Sequence, residues 1–455
     1  MTALWTSEAI AKAIGGVASE SFAATGVAFD SREIGAGDLF VAMPGEVTDG
    51  HRFIEGAFAH GASGAIVSQP VAHPHILVAD TAAVLDALGV ASRRRTAAKI
   101  AGVTGSVGKT GTKEALAAAL GRWPDTKVHK SVKSYNNHTG VPLSLSRMAA
   151  DSDFAVFEMG MNHAGELSGL TRMVRPHVAI VTAIAPAHIE FFASEAAIAD
   201  AKAEIFQGIE PGGTAIIPFD SPHRDRLVGH ARELGVHVVT FGMGTGADVH
   251  AREAMPTAGG TLITATLPDA ELCFTVGQVG DHWVSNALAV IAAVQALGGD
   301  LAAAGLALAE LEGLAGRGAR KTIRAGSGTA LLIDESYNAN AASMVATLAV
   351  LGRQTATRRI AVLGEMRELG TESERLHAAI AEPLLAANVD FALLVGPGMV
   401  ALAKALEGRV EFRHVPDAAA ARDLIESVIA PGDAILVKGS NGVGLSTLVD
   451  ALGAA

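Results

Sequence analysis

Short apolar runs of β type recur along this chain between longer segments of helical period. The first block alternates LFVAM (39–43), AIVS (65–68) and ILVAD (76–80) with glycine and helical patterns. It closes near residue 96 on the basic run Ser92–Arg95, which reads either as a linker or as a solvated helix end. From about residue 97 the runs AAKIAGVTGS, FAVFEMG, HVAIVTAI, GGTAIIP and HVVTFG follow, with helical segments such as KEALAAALGR between most of them. Strands alternating with helices predict a mostly parallel, doubly wound sheet. One exception, TLITATLPDAELCFTVGQ, is two alternating runs joined by Pro-Asp-Ala and predicts an antiparallel hairpin. A Gly/Arg-rich stretch, Gly316–Arg320, separates this block from a third. There TALLIDES, RRIAVLGEM, FALLVGPG and AILVKGS each end in glycine or polar residues, as in another α/β unit. The pattern predicts an α/β protein of three domains: a smaller one over 1–96, a central doubly wound sheet over 97–318, and a Rossmann-like unit over 319–455.

Composition narrows the function classes. The formal net charge is −12 and aromatics make up 4% of 455 residues, which argues against a nucleic-acid binder or a coat for an anionic membrane. An anionic ligand therefore needs a local cationic site. The mean hydropathy of +0.34 does not come from a membrane span. The longest apolar stretch, around Ala287–Gly299, is broken by Gln295 and followed by Asp300, so a buried helix is expected instead. Glu8 and Lys12 interrupt the N-terminal apolar pattern, which reads as an amphipathic helix and not a leader. A single cysteine, Cys273, fits a reducing compartment, and a cytoplasmic location is expected.

The sharpest chemical signal is Thr104-Gly105-Ser106-Val107-Gly108-Lys109-Thr110, placed after a predicted strand and before a predicted helix. Gly105 and Gly108 let the backbone N–H groups around Ser106 and Val107 converge on phosphate oxygens. Lys109 supplies a cation for the β- and γ-phosphates, and Thr110 a hydroxyl for Mg²⁺. The following helix adds its positive N-terminal end. Val103 stands where the longer Walker pattern has its first glycine, so the motif is the shorter G-x-x-G-K-T. Glu158 ends the strand FAVFE and His188 lies just beyond HVAIVTAI, both on the carboxyl edge expected to hold ligands. They suit Mg²⁺ or Mn²⁺ when phosphates and water complete the shell. A lone histidine such as His188 reads equally as a solvated or core side chain, and Lys202 by itself reads as a solvated helix lysine.

Taken together, these segments resemble the ATP-dependent muramyl ligases of peptidoglycan synthesis. TGSVGKTGTKE (104–114) has the family's short phosphate loop, and YNNHTGVP (135–142) looks like its N-N-x-x-G-x-P loop. FEMGM (157–161) is similar to its metal-glutamate strand, and AHIE (187–190) to its metal-histidine turn. KAEIF (202–206) resembles the segment whose lysine is carbamylated, which makes Lys202 an anionic support for a second Mg²⁺. Phe29-Asp30-Ser31-Arg32 and GDLFVAMPGEVTDGHRFI look like the domain that holds the UDP-muramyl substrate. DESYNAN (334–340), with GEMRELG (364–370), His377 and Lys438-Gly439-Ser440, resembles the branch that adds D-alanyl-D-alanine to UDP-N-acetylmuramoyl-tripeptide.

The resemblance implies an ATPase-like central domain, a requirement for ATP and one or two Mg²⁺ ions, and an acyl-phosphate route to an amide. It implies that Lys109, Glu158, His188 and Lys202 are catalytic, with Thr110 joining the last three around metal. Asn286, Arg317 and Asp334 fall on the nucleoside side, with the third domain closing over ATP. Ser31, Arg32 and Asp49 fall on the UDP-muramyl side, although turn or capping roles stay open for each. Asn136, Asn137, Tyr337 and Asn338 are substrate candidates. A monomer is expected, with no nucleic-acid partner and no membrane insertion. The chain departs from the family pattern at Ala183, Pro218, Trp283 and Ala341. A sister ligase that adds one amino acid, and a nucleotide-switched regulator, are the rival readings.

Overall fold

The computed structural model describes residues 3–45, 48–257 and 259–454. Among these residues the strands form four sheets. A five-stranded sheet near the N-terminus runs in the order Val17–Ala18, His75–Leu77, Gly64–Val67, Asp38–Val41, Gly26–Ala28, parallel except at its first pair. A two-stranded ribbon, Trp5–Thr6 with Ala23–Ala24, sits beside it. The nine-stranded sheet has Lys99–Thr104 third from one edge, flanked by Val178–Val181 on one side and Phe154–Glu158 on the other. Chain order reverses at that strand, so its carboxyl end opens into a switch-point crevice. Six further strands complete the sheet, the last three joined antiparallel. The six-stranded sheet runs Ala319–Ala325, Gly328–Glu335, Ala434–Lys438, Arg359–Gly364, Phe391–Val395, Glu411–Val415, parallel after its first pair.

The middle strands form because their side chains are buried on both faces. Phe154–Glu158, Val178–Val181 and Thr214–Pro218 are almost entirely inaccessible to water, as parallel strands covered by helices on both sides must be. Helices Lys109–Gly121, Asp281–Leu297 and Leu301–Ala309 cover one face, and Glu166–Val174 and Glu195–Ala203 the other. The apolar stretch read as a buried helix is Asp281–Leu297, capped by the left-handed Gly298. No helix among the described residues is long and apolar enough to cross a membrane. The predicted hairpin is present as Gly260–Leu267 with Ala270–Val276.

Several strands escape the periodicity reading, among them short ones such as Val128–Lys130 and Glu411–Val415. Val249–Thr257 and Ala319–Ala325 carry charged side chains on exposed positions and bury only a few residues, so neither shows an apolar run. A further correction concerns Ser92–Arg95, which is neither a linker nor a solvated helix end. Helix Val84–Arg94 ends there with Arg93 only 7% exposed. The Arg93 guanidinium donates to the carbonyls of Val174 (2.8 Å) and Arg175 (3.0 Å) and to Glu210 (3.2 Å). These carbonyls end the helix Glu166–Val174, where unpaired acceptors and the negative end of the helix dipole favour a cation. Arg95 donates to the carbonyls of Leu4 and Met148 and lies over the Trp5 ring. The basic run thus clamps the N-terminal sheet onto the central one. Arg93→Ala is expected to cost about 2–3 kcal/mol, because it strands buried acceptors. Urea unfolding monitored by circular dichroism should give a lower midpoint at unchanged slope.

Candidate active site

The phosphate loop is built by close backbone approach. Gly105 (φ 148°) leaves no room for a side chain, since a Cβ there would lie 1.9 Å from the Thr182 hydroxyl. Gly108 (φ 84°) adopts the left-handed conformation that starts helix Lys109–Gly121. The loop is tied to the next strand's exit: the Ser106 N–H donates to the Ala183 carbonyl (2.8 Å), and its hydroxyl donates to that of Ala185 (2.8 Å). Lys109 Nζ folds back to donate to the Gly105 carbonyl at 2.7 Å. Burial pushes the Lys109 ammonium below the usual lysine range; the Glu158 carboxylate opposes this and the Arg317 cation adds to it.

Glu158 is 1% exposed at the end of its strand. Its two oxygens accept from the Thr110 hydroxyl (2.8 Å) and the Asn136 amide (2.7 Å). Both partners are neutral, and among the described residues no cation is bonded to this buried carboxylate beside the phosphate loop. His188, at φ 58°, points Nδ1 at the Glu368 carboxylate from the C-terminal unit. Burial pushes its pKa down; the Glu368 carboxylate opposes this, while the Lys109 and Lys202 cations add to it. Lys202 sits behind the site, 2% exposed, with burial pushing its ammonium well below the usual range and Lys109 pushing it further. Lys109, Thr110, Asn136, Glu158 and His188 line one cavity of about 470 Å³, and Lys202 and Glu368 are not on its wall.

The partial donor set fits Mg²⁺. Among the described residues no three His, Cys, Asp or Glu side chains converge into a complete cage. A hydroxyl, a carboxylate and an imidazole without further ligands suit an ion that keeps waters and takes phosphate oxygens, and less so a cation needing an all-protein cage.

The other predicted residues divide by position. Ser106, Val107, Gly108, Asn136 and Asn286 line the cavity, with Arg317, Tyr337 and Asn338 across it. The Arg317 guanidinium lies 4.2 Å from the Tyr337 ring centre. Asp334 is behind the wall, accepting from the Gly316 N–H (2.7 Å) and the Ser336 hydroxyl (2.6 Å), and so shapes the loop that presents Arg317. Asn137 also lies off the wall, accepting from the Gly140 N–H at 2.9 Å. Ser31, Arg32 and Asp49 belong to the N-terminal unit, away from this cavity. Arg32 pairs with Asp30 at 2.6 Å, and Asp49 accepts from the His51 N–H at 2.9 Å. That unit nevertheless reaches the site's supporting loop, because Glu33 accepts from Lys133 Nζ (2.6 Å) and the Tyr135 hydroxyl (2.9 Å).

Several groups at the site carry no role in the sequence reading. Lys438, fully buried, donates to the Asn338 carbonyl at 2.9 Å and lies 3.6 Å from Glu335. Burial pushes the Glu335 carboxyl up and the Lys438 ammonium down. Both residues end apolar strands, the same signal that singled out Glu158. The Asn340 amide donates to the Ser106 carbonyl at 3.3 Å, so the C-terminal unit touches the phosphate loop directly.

Comparison with known proteins finds family models along most of the chain. Residues 23–104 match the Mur ligase family catalytic domain, 103–294 the Mur ligase middle domain, and 319–441 the Mur ligase glutamate ligase domain. The UDP-N-acetylmuramoyl-tripeptide–D-alanyl-D-alanine ligase of Escherichia coli (strain K12) is 35% identical over 431 residues, covering 94% of this chain and 93% of its own. The enzyme of that name from Rickettsia prowazekii (strain Madrid E) is 31% identical over 452 residues, 98% of this chain and 99% of its own. The crystal structure of MurF from Acinetobacter baumannii superposes with a TM-score of 0.85 at 31% identity, covering 99% of both chains. The chain belongs to the Mur ligase family.

Proposed function

We propose that this chain is an ATP-dependent amide ligase that joins D-alanyl-D-alanine to UDP-N-acetylmuramoyl-tripeptide, with ADP and phosphate as the other products. The observation that carries this reading is the buried Thr110–Glu158–Asn136 cluster beside the phosphate loop, facing Arg317, Tyr337 and Asn338 across one cavity. Relatives over 30% identical along nearly the full chain bear the name of that activity. The residue ranges 1–96, 97–318 and 319–455 serve in turn as UDP-muramyl, ATP and closing domains.

A carboxylate is a poor electrophile, so the tripeptide's terminal carboxylate first takes the γ-phosphoryl group of ATP and releases ADP. The dipeptide amine then attacks the acyl carbon, and phosphate leaves as the amide forms. Positioning and charge neutralisation dominate such phosphoryl transfer. The amides of Val107–Thr110 cradle the phosphates, and Lys109 offsets charge on the group in flight. Thr110, Glu158, His188 and a carbamylated Lys202 would hold one or two Mg²⁺ ions. Bound Mg²⁺ supplies Lewis-acid stabilisation of phosphoryl oxygens. Asn286 and Arg317 hold the nucleoside, with Asp334 fixing the Arg317 loop. Asn136 orients Glu158, Asn137 shapes the loop that bears Asn136, and Tyr337 and Asn338 bound the acceptor side. Ser31, Arg32 and Asp49 bind the UDP-muramyl moiety.

A coupled phosphate-release assay tests the reading. Phosphate should appear with ATP, UDP-muramyl tripeptide and D-alanyl-D-alanine together, and not when a single amino acid replaces the dipeptide. Release with one amino acid and none with the dipeptide would transfer the chain to a sister ligase.

A further inference from the structure

The turn that carries His188 is held between two units of the protein. Ile189 packs against both the central core and the C-terminal core. The 3-10 turns Ile189–Phe191 and Gly370–Glu372 meet there, and the Glu190 N–H donates to the Glu368 carbonyl at 3.4 Å. Glu368 itself sits at φ 61°, a left-handed conformation unusual for a non-glycine residue. Its loop is rigidly mounted. The Met366 N–H donates to His377 Nε2 (2.9 Å), and the Arg367 N–H donates to the Ser440 hydroxyl (3.0 Å). From this mount the Glu368 carboxylate meets His188 Nδ1. A carboxylate only accepts, so Nδ1–H donates to Glu368, and in the neutral imidazole Nε2 then keeps its lone pair.

We infer that Glu368 is a positioning residue: supplied by the C-terminal unit, it fixes the tautomer and ring orientation of His188 and so completes the metal side of the site only when that unit is docked. The inference rests on the reading of His188 as a metal ligand. Carboxylate partners of ligating histidines set tautomer and basicity in this way, and their loss costs about ten- to hundredfold in metal affinity. Because the partner comes from another unit, docking and metal binding strengthen each other by the same factor.

The test uses the full chain with ADP, and Mn²⁺ as a paramagnetic probe titrated by electron paramagnetic resonance. Glu368→Ala should weaken Mn²⁺ binding about tenfold or more while metal-free ADP affinity stays unchanged. Glu368→Gln, which still offers an acceptor to Nδ1–H, should recover most of the loss. ¹⁵N-histidine spectra, assigned with His188→Ala, should show His188 as the Nδ1–H tautomer in the parent chain. An Nε2–H tautomer overturns the proposal whatever the variants do. If His188→Ala weakens Mn²⁺ binding and Glu368→Ala does not, Glu368 has no such role and the His188 reading stands. If His188→Ala leaves Mn²⁺ binding untouched, the ligand reading itself falls and takes the proposal with it.

Discussion

Replacing Lys109 by methionine is expected to lower turnover by about 10³-fold, or about 4 kcal/mol of transition-state stabilisation, while leaving the melting temperature unchanged or higher. The two effects have opposite signs because one property causes both. The Lys109 ammonium is held at the phosphate loop by the Gly105 carbonyl, where burial takes it out of water and the Arg317 cation lies close enough to oppose it. Its pKa is therefore lower in the folded chain than in the unfolded one, so at neutral pH the charge costs folding free energy. Methionine keeps most of the stem and removes that cost. Activity needs the charge: a desolvated cation aimed at the transferring group acts in a low-dielectric pocket and requires no reorganisation. Phosphate release and thermal denaturation measured on the same preparation separate the outcomes. A variant that loses activity together with its melting transition would make Lys109 a structural residue, and one that keeps full turnover would remove it from the mechanism.

Lys202→Arg is expected to cost at least about 10²-fold in turnover although it preserves the positive charge. A lysine amine can add to CO₂, forming an N–C bond and releasing a proton to give an anionic carbamate; a guanidinium at physiological pH does not. The reaction needs the neutral amine, and Lys202 is buried beside a second cation, so its ammonium lies well below the ordinary range. The neutral form is thus accessible at lower pH than for a surface lysine. As pH falls, protonation reverses the addition and CO₂ leaves, so activity in CO₂-stripped buffer should drop first on the acid side and return with bicarbonate. Equilibration with ¹³C-bicarbonate should give a carbamate resonance in the parent chain and none in Lys202→Arg. Retention of a third or more of the activity by the arginine variant would exclude the carbamate.

How far the site could be read in advance depended on how local each feature was. The loop 104–110 was legible as a strand–turn–helix unit because the three parts are contiguous, and its curl needs glycine where a Cβ would strike Thr182. Glu158 was legible because a carboxylate at the end of an apolar strand demands partners. Glu335 and Lys438 offered the same strand-end signal and passed without a role. Arg93 is not legible as a clamp from sequence, because a basic helix end looks solvated until the helix it caps is known. Val249–Thr257 and Ala319–Ala325 show no apolar run because both place charged side chains on exposed positions and bury only a few residues.

The sequence by itself determined the α/β class, the position of the phosphate loop and the chemistry available on the sheet's carboxyl edge. These depend on side-chain period and on the backbone geometry of a few consecutive residues. Only the tertiary structure decided that Glu368 meets His188 across 180 positions, that Asn340 touches the phosphate loop, and that Glu33 holds the loop bearing Asn136. Hydrophobic patterning says which face of an element is buried, but not which unit covers it. Contacts between docked units depend on shape and charge brought together from distant parts of the chain, and this site lies on such a boundary.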